Sequence, residues 1–149
     1  MIERTGDLWA YPAAWICIPT NGMRRKGDGS AVMGAGLAKT AAELCPELPA
    51  HLGKLLLAHG NHVLNLGLWD VNGREIHLVS FPTKEHWNRP SHLDLIRRSA
   101  RELRADFSRV EGAIAMPRVG CGFGGLGWSV VQPVLHEELP GDQFVVVTP

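Results

Sequence analysis

Residues 117–128 read PRVGCGFGGLGW, five glycines in twelve positions. Glycine loses the most freedom when its backbone is fixed, so a run this loose does not belong inside a helix or strand. It is a loop, and its neighbours define its setting. An apolar run over residues 113–116 precedes it, a helical pattern over 129–139 follows, and a last apolar strand covers 144–147. The end of the chain therefore reads strand, glycine loop, helix, strand.

The same alternation continues upstream. Residues 14–18, Ala-Trp-Ile-Cys-Ile, form a short apolar run ending in Pro-Thr-Asn-Gly, a buried strand with its turn. Residues 23–33 are polar, basic and glycine-bearing and are expected to be a mobile loop. An Ala-rich helix is expected over 36–48, stopped near Pro46, and a second over 49–59 with Pro at its first position and Gly60 after it. Residues 63–69 and 74–81 alternate in polarity around Asp70-Val71-Asn72-Gly73, a hairpin signature in which Asn-Gly supplies the positive φ values. Leu93, Ile96, Ala100, Leu103 and Phe107 recur at helical spacing, and Ser91 with Asp94 suggests a capping box at the helix start. Strands alternating with helices, plus one hairpin, predict an α/β sandwich with a mixed sheet.

Bulk properties narrow the classes. With 149 residues the chain is read as one domain, residues 1–149, able to bury a core. Lys plus Arg and Asp plus Glu stand at 15 each, so no overall field attracts nucleic acid or an anionic membrane. The clusters Arg24-Arg25-Lys26 and Arg97-Arg98 are read as solvated. No apolar run approaches the roughly 20 residues that span a bilayer, and the first residues carry two acids and no apolar stretch of a signal peptide. Cys17, Cys45 and Cys121 are scattered without a CxxC, so no disulfide frame or zinc site is indicated and a cytoplasmic protein is expected.

Three loops leave predicted strands with unusual chemistry, where ligands of open α/β sheets settle. In the first, Gly120, Gly122 and Gly125 match G-x-G-x-x-G, but the next strand ends Val147-Thr148-Pro149 without the acid a dinucleotide site requires. Exposed backbone N–H groups at a helix start would still bind phosphate; a tight structural corner is the alternative. In the second, GSAVMGAGLAKTA over residues 29–42, Gly34 and Gly36 precede a helix, but Lys39-Thr40 lack the adjacent glycine of a P-loop. Asn21, in the turn before it, is either a turn residue or a ligand group. The third, FPTKEHW over residues 81–87, places Lys84 at a strand end. Lys84 is an ordinary solvated cation, a phosphate ligand, or an amine that attacks a carbonyl carbon; the last role needs the neutral amine. His59 and His62 lack metal-ligand spacing and a carboxylate, so no metal is expected, and Cys121 is read as a small residue lending its N–H.

Together these loops resemble the macrodomain family of ADP-ribose-binding modules, in particular its branch with the DarG antitoxin and terminal ADP-ribose protein glycohydrolase. The matching residues are Gly6-Asp7-Leu8, Thr20-Asn21-Gly22, Val32-Met33-Gly34-Ala35-Gly36-Leu37-Ala38, Phe81-Pro82-Thr83-Lys84-Glu85-His86-Trp87, and the whole stretch from Pro117 to Trp128. The resemblance implies a three-layer α/β/α sandwich with a mixed central sheet and a cleft for ADP-ribose. By matched position, Asp7 accepts from the adenine amino group, the Leu8 N–H helps fix the ring, and Asn21 contacts the distal ribose. Gly34, Ala35, Gly36, Leu37 and Ala38 grip the diphosphate from one side, and Gly120, Cys121, Gly122, Phe123, Gly124 and Gly125 from the other. Thr83 lines the site, and Lys84 is the catalytic lysine at the distal ribose. The family's acids would fall at Gly124 and Gly127, where this chain has glycine.

The implied function is an ADP-ribosyl hydrolase acting on a modified acidic side chain of a protein or on a DNA base, working as a monomer with no cofactor and no membrane. Two alternatives stand beside it: a non-catalytic ADP-ribose reader, and an O-acetyl-ADP-ribose deacetylase.

Overall fold

The computed structural model describes residues 1–149. Six strands, β1 (Ile2–Thr5), β2 (Trp15–Thr20), β3 (Leu64–Val71), β4 (Arg74–Pro82), β5 (Ile114–Met116) and β6 (Phe144–Thr148), form one sheet in the order β1-β6-β5-β2-β4-β3. Helices α1 (Gly36–Leu44), α2 (Leu48–His59), α3 (Leu93–Phe107) and α4 (Trp128–Glu138) complete the fold, with a 3-10 turn at Leu8–Ala10. Every neighbouring pair is parallel except β3–β4. That hairpin turns through Asn72 (φ 53°) and Gly73 (φ 82°), the type I′ geometry that Asn-Gly favours.

Side-chain alternation on the strands generates three layers. Ile16, Ile18, Ile76, Leu78, Val145 and Val147 point to one face, where they pack with Ala41 of α1 and Leu48, Leu52 and Leu56 of α2. Cys17, Val79, Phe81, Phe144 and Val146 point to the other, against Ile96, Ala100 and Leu103 of α3 and Val131 and Leu135 of α4. Central strands apolar on both faces are those of a sheet covered on both sides.

Four local readings differ from the sequence pattern. Strand β1 was not foreseen: Ile-Glu-Arg-Thr has one apolar residue, and its strand character comes from pairing at the sheet edge with β6. Helix α1 ends at Leu44 rather than 48, and Glu47, beyond Pro46, precedes the first residue of α2. The capping box is absent. The N-cap of α3 is His92, without a side-chain cap, so Asp94 falls at N2 rather than N3, and the Ser91 N–H donates instead to Gly124 O at 2.8 Å. Finally, residues 23–33 form a closed, hairpin-like excursion. Arg24 bridges Ala31, Arg25 N donates to Ser30 O at 2.7 Å, and Val32 N donates to Met23 O at 2.9 Å.

This excursion is pinned to α2. Ala31 N donates to Pro49 O at 2.8 Å, and the Cα of Gly53 lies against its backbone, where an added Cβ would come 2.2 Å from Gly29 O. Gly53→Ala therefore gains about 1 kcal/mol of helix propensity and meets a backbone clash that costs more. The expected net loss is about 1–2 kcal/mol, read as a fall of roughly 3–8 °C in Tm; an unchanged or higher Tm would show that α2 does not rest on this loop.

Candidate active site: a cleft across four strand ends

The carboxyl ends of β6, β5, β2 and β4, neighbours in the sheet, open into a cleft of about 760 Å³, within the range of small-molecule sites. Its position follows from the topology. After β2 the chain crosses to the α1/α2 face, and after β5 it crosses to the α4 face, so the two loops part between adjacent strands and leave a crevice.

Both loops present unused donors there. Gly34, Ala35, Gly36, Leu37 and Ala38 line the cleft, and none of their N–H groups donates to a protein acceptor. Helix α1 starts within this run, and its N-cap, Ala35, offers no side-chain acceptor. On the other side Gly122, Phe123 and Gly124 line the cleft with N–H groups equally free. Two facing sets of unpaired backbone donors, one at a helix N-terminus, make an anion cradle. The Phe123 ring closes toward the first loop, its Cδ2 being 3.5 Å from where a Gly36 Cβ would stand.

The glycines of the second loop differ in purpose. At Gly122 a Cβ would meet nothing within 4 Å, so glycine there keeps the cleft open. At Gly124 a Cβ would stand 2.2 Å from Ser91 Oγ and 2.4 Å from Gly120 O, so glycine there is demanded by packing. An acid at position 124 has no room in this chain. Gly124→Asp is expected to destabilise the fold by about 2–3 kcal/mol rather than supply a working carboxylate, as thermal unfolding would show. No Asp or Glu lines the cleft at all.

Lys84 lies just beyond β4. Its Nζ forms no ion pair and donates only to the carbonyls of Trp87 and Phe123, each at a long 3.4 Å. Thr83 lines the floor, its N–H donating to Thr20 O at 3.0 Å and its carbonyl accepting from His92 at 2.9 Å. Asn21 is in the lining, but its amide also builds the loop. Nδ2 donates to Val32 O at 3.1 Å and Oδ1 accepts from Met23 N at 2.9 Å.

Gly120 is also in the lining; Asp7, Leu8, Cys121 and Gly125 are not. Asp7 caps the 3-10 turn through Trp9 N and lies at the β6 end, where Gly6 N donates to Thr148 O at 2.7 Å. Leu8 is buried in the core, and burial pushes the Cys121 thiol above its ordinary range. The structure adds Thr20, Trp87, Ser91 and Arg118 to the lining. Arg118 stacks over Trp128 at 5.1 Å. The Oγ atoms of Thr20 and Ser91 are buried without a partner. Thr20, Trp87 and Arg118 lie inside the matched motifs, but a single hydroxyl, ring or guanidinium carries no spacing signal for a role in the cleft.

A mixed six-stranded sheet between two helical layers, with a donor-lined cleft across its strand ends, is the macrodomain fold. No family model matches the chain. Within that fold it is similar to DarG macrodomains. It superposes on the macrodomain of Mycobacterium tuberculosis DarG with a TM-score of 0.77 and 25% identity, covering 99% of this chain and 97% of that one. It superposes on Thermosipho africanus DarTG in complex with ADP-ribose with a TM-score of 0.76 and 21% identity, over 99% of this chain and 42% of that one. In sequence it is 37% identical over 73 residues to a DNA ADP-ribosyl glycohydrolase of Thermus aquaticus, 48% of this chain and 20% of that protein. The matched stretches span only 18 to 22% of the curated relatives' lengths. No helix is long and apolar enough to cross a membrane.

Proposed function

We propose that this chain is a single macrodomain that binds ADP-ribose and removes it from a modified protein or DNA base, with Lys84 as the reacting group. The observation that carries the reading is the placement of an unpaired lysine amine at one end of a cleft whose middle offers two sets of free backbone N–H groups. The diphosphate of ADP-ribose suits that cradle. Asp7 and the Leu8 N–H, at the β6 end, would meet adenine. Asn21, with one donor and one lone pair still free after its loop contacts, would meet the distal ribose beside Lys84.

In the reaction the neutral Lys84 amine attacks the anomeric carbon. The bond to the modified side chain or base breaks, and that group leaves with the electron pair and takes up the proton that the lysine nitrogen sheds on forming its new bond. Water then displaces the lysine nitrogen, releasing ADP-ribose and restoring the amine. The relatives named DNA ADP-ribosyl glycohydrolases support this reading. The protein would act as a monomer in the cytoplasm, without a cofactor.

A second reading has its own observation. With no Asp or Glu in the lining and no room for one at Gly124, the cleft also suits a reader that holds ADP-ribose without turnover. The two separate on one assay: release of free ADP-ribose from a glutamate-modified protein and from a thymine-modified oligonucleotide. Release is expected, and the preferred substrate identifies the linkage. Tight binding with no release from either substrate would establish the reader. Cleavage of O-acetyl-ADP-ribose that survives Lys84→Ala would instead establish a deacetylase.

A further inference from the structure

Resting on the reading of Lys84 as the reacting amine, we propose that Asn61, outside the cleft, is the positioning residue that sets Lys84 through its main-chain carbonyl.

Lys84 needs such a device. It lies past Pro82, the last residue of β4, so no sheet ladder holds it, and its side chain makes only two long contacts. The place of its amine is inherited from its backbone. The Lys84 carbonyl accepts one side-chain hydrogen bond, from Asn61 Nδ2 at 3.0 Å.

Asn61 is wedged where it can hold two sides of the site at once. It follows the C-cap of α2, Gly60, and its amide lies flat against Gly22, beside Asn21. A Cβ on Gly22 would stand 2.4 Å from Asn61 Cγ and 2.7 Å from both its Nδ2 and its Oδ1. The amide therefore fills the gap between the turn after β2 and the segment after β4. Its own backbone is anchored in turn. Asn61 O accepts from the Arg98 guanidinium of α3, Arg98 Nε is 3.7 Å from Glu102 Oε1, and Glu102 takes Val63 N at 3.2 Å and contacts His62 Nδ1 at 2.5 Å.

Packing alone does not explain an asparagine here. Its Oδ1 is buried without a partner, a cost an apolar side chain of the same shape would avoid. The donor to Lys84 is what the amide adds. Because Asn61 is absent from the cleft lining, its loss should fall on the reaction step and spare ligand binding.

The test is Asn61→Asp, which keeps the shape and replaces the donor by a carboxylate facing the Lys84 carbonyl. Single-turnover ADP-ribose release and calorimetric ADP-ribose affinity are measured in the wild-type and Lys84→Ala backgrounds, with hydrogen exchange over residues 83–92. Release should slow roughly ten- to a hundredfold, as expected for a misplaced reacting group. Kd should stay within about twofold, and exchange should quicken at Thr83 and His92, the hydrogen-bonded amides that flank the Lys84 segment. A rate within about twofold of wild type, or a matching loss of affinity, would overturn the proposal. If Lys84→Ala alone leaves release intact, the reading of Lys84 fails; Asn61→Asp exchange at Thr83 and His92 then decides, and unchanged exchange refutes the positioning role as well. Should Asn61→Asp fail to fold, Asn61→Leu removes the donor without adding charge, and the same outcomes apply.

Discussion

Lys84→Ala is expected to abolish release of ADP-ribose while leaving the cleft able to bind it. The amine is the only lysine side chain in the lining and is free of an ion pair, and no Asp or Glu lines the cleft to take over covalent attack. Truncating a nucleophile removes an interaction made only along the reaction path, so the loss falls on kcat, by roughly 10³-fold or more. In the proposed binding mode, affinity for ADP-ribose rests chiefly on the backbone donors of the two loops, which the substitution does not touch, and should change only a few-fold. The decisive measurement pairs release from the modified substrate with calorimetry on the free ligand. Retained release in a folded variant would remove Lys84 from the chemistry.

Gly122→Glu is expected to abolish binding without unfolding the protein. Position 122 has an ordinary φ, and the space its Cβ would enter is empty to 4 Å, so a side chain is accommodated by the fold and projects into the cleft. There the carboxylate occupies the anion cradle and repels the diphosphate across low-dielectric walls. A hundredfold or greater weakening, about 2.7 kcal/mol or more, is the expected scale, with stability within about 0.5 kcal/mol of wild type. Unchanged affinity in a folded variant would place the ligand elsewhere. The contrast with Gly124, two residues on, is the sharper control: there the same kind of change meets Ser91 and Gly120 and damages the fold itself.

Much of this architecture is readable from local pattern because local physics decides it. The hairpin is written in Asn72-Gly73, whose φ values the turn requires. Helix α3 is written in Leu93, Ile96, Ala100, Leu103 and Phe107, all on its buried or half-buried face. The three strand-end loops were visible as glycine-rich or lysine-bearing breaks after apolar runs, and the sheet order brings all of them to one cleft. Strand β1 was illegible because an edge strand of four residues owes its pairing to β6 and not to its own composition. The excursion over residues 23–33 looked mobile because its order comes from Gly53 and Pro49, which are distant in sequence.

The alternation of strands and helices, the hairpin and the chemical character of each loop follow from local pattern, since periodicity and turn chemistry act over a few residues. Which atoms of those loops remain free depends on how the segments pack. That packing placed the donors of residues 34–38 opposite those of 122–124, filled the space beside Gly124 with Ser91, and brought Asn61 from the far end of α2 to the carbonyl of Lys84. Each of these depends on a contact between segments far apart along the chain, and such contacts leave no periodic trace in either segment.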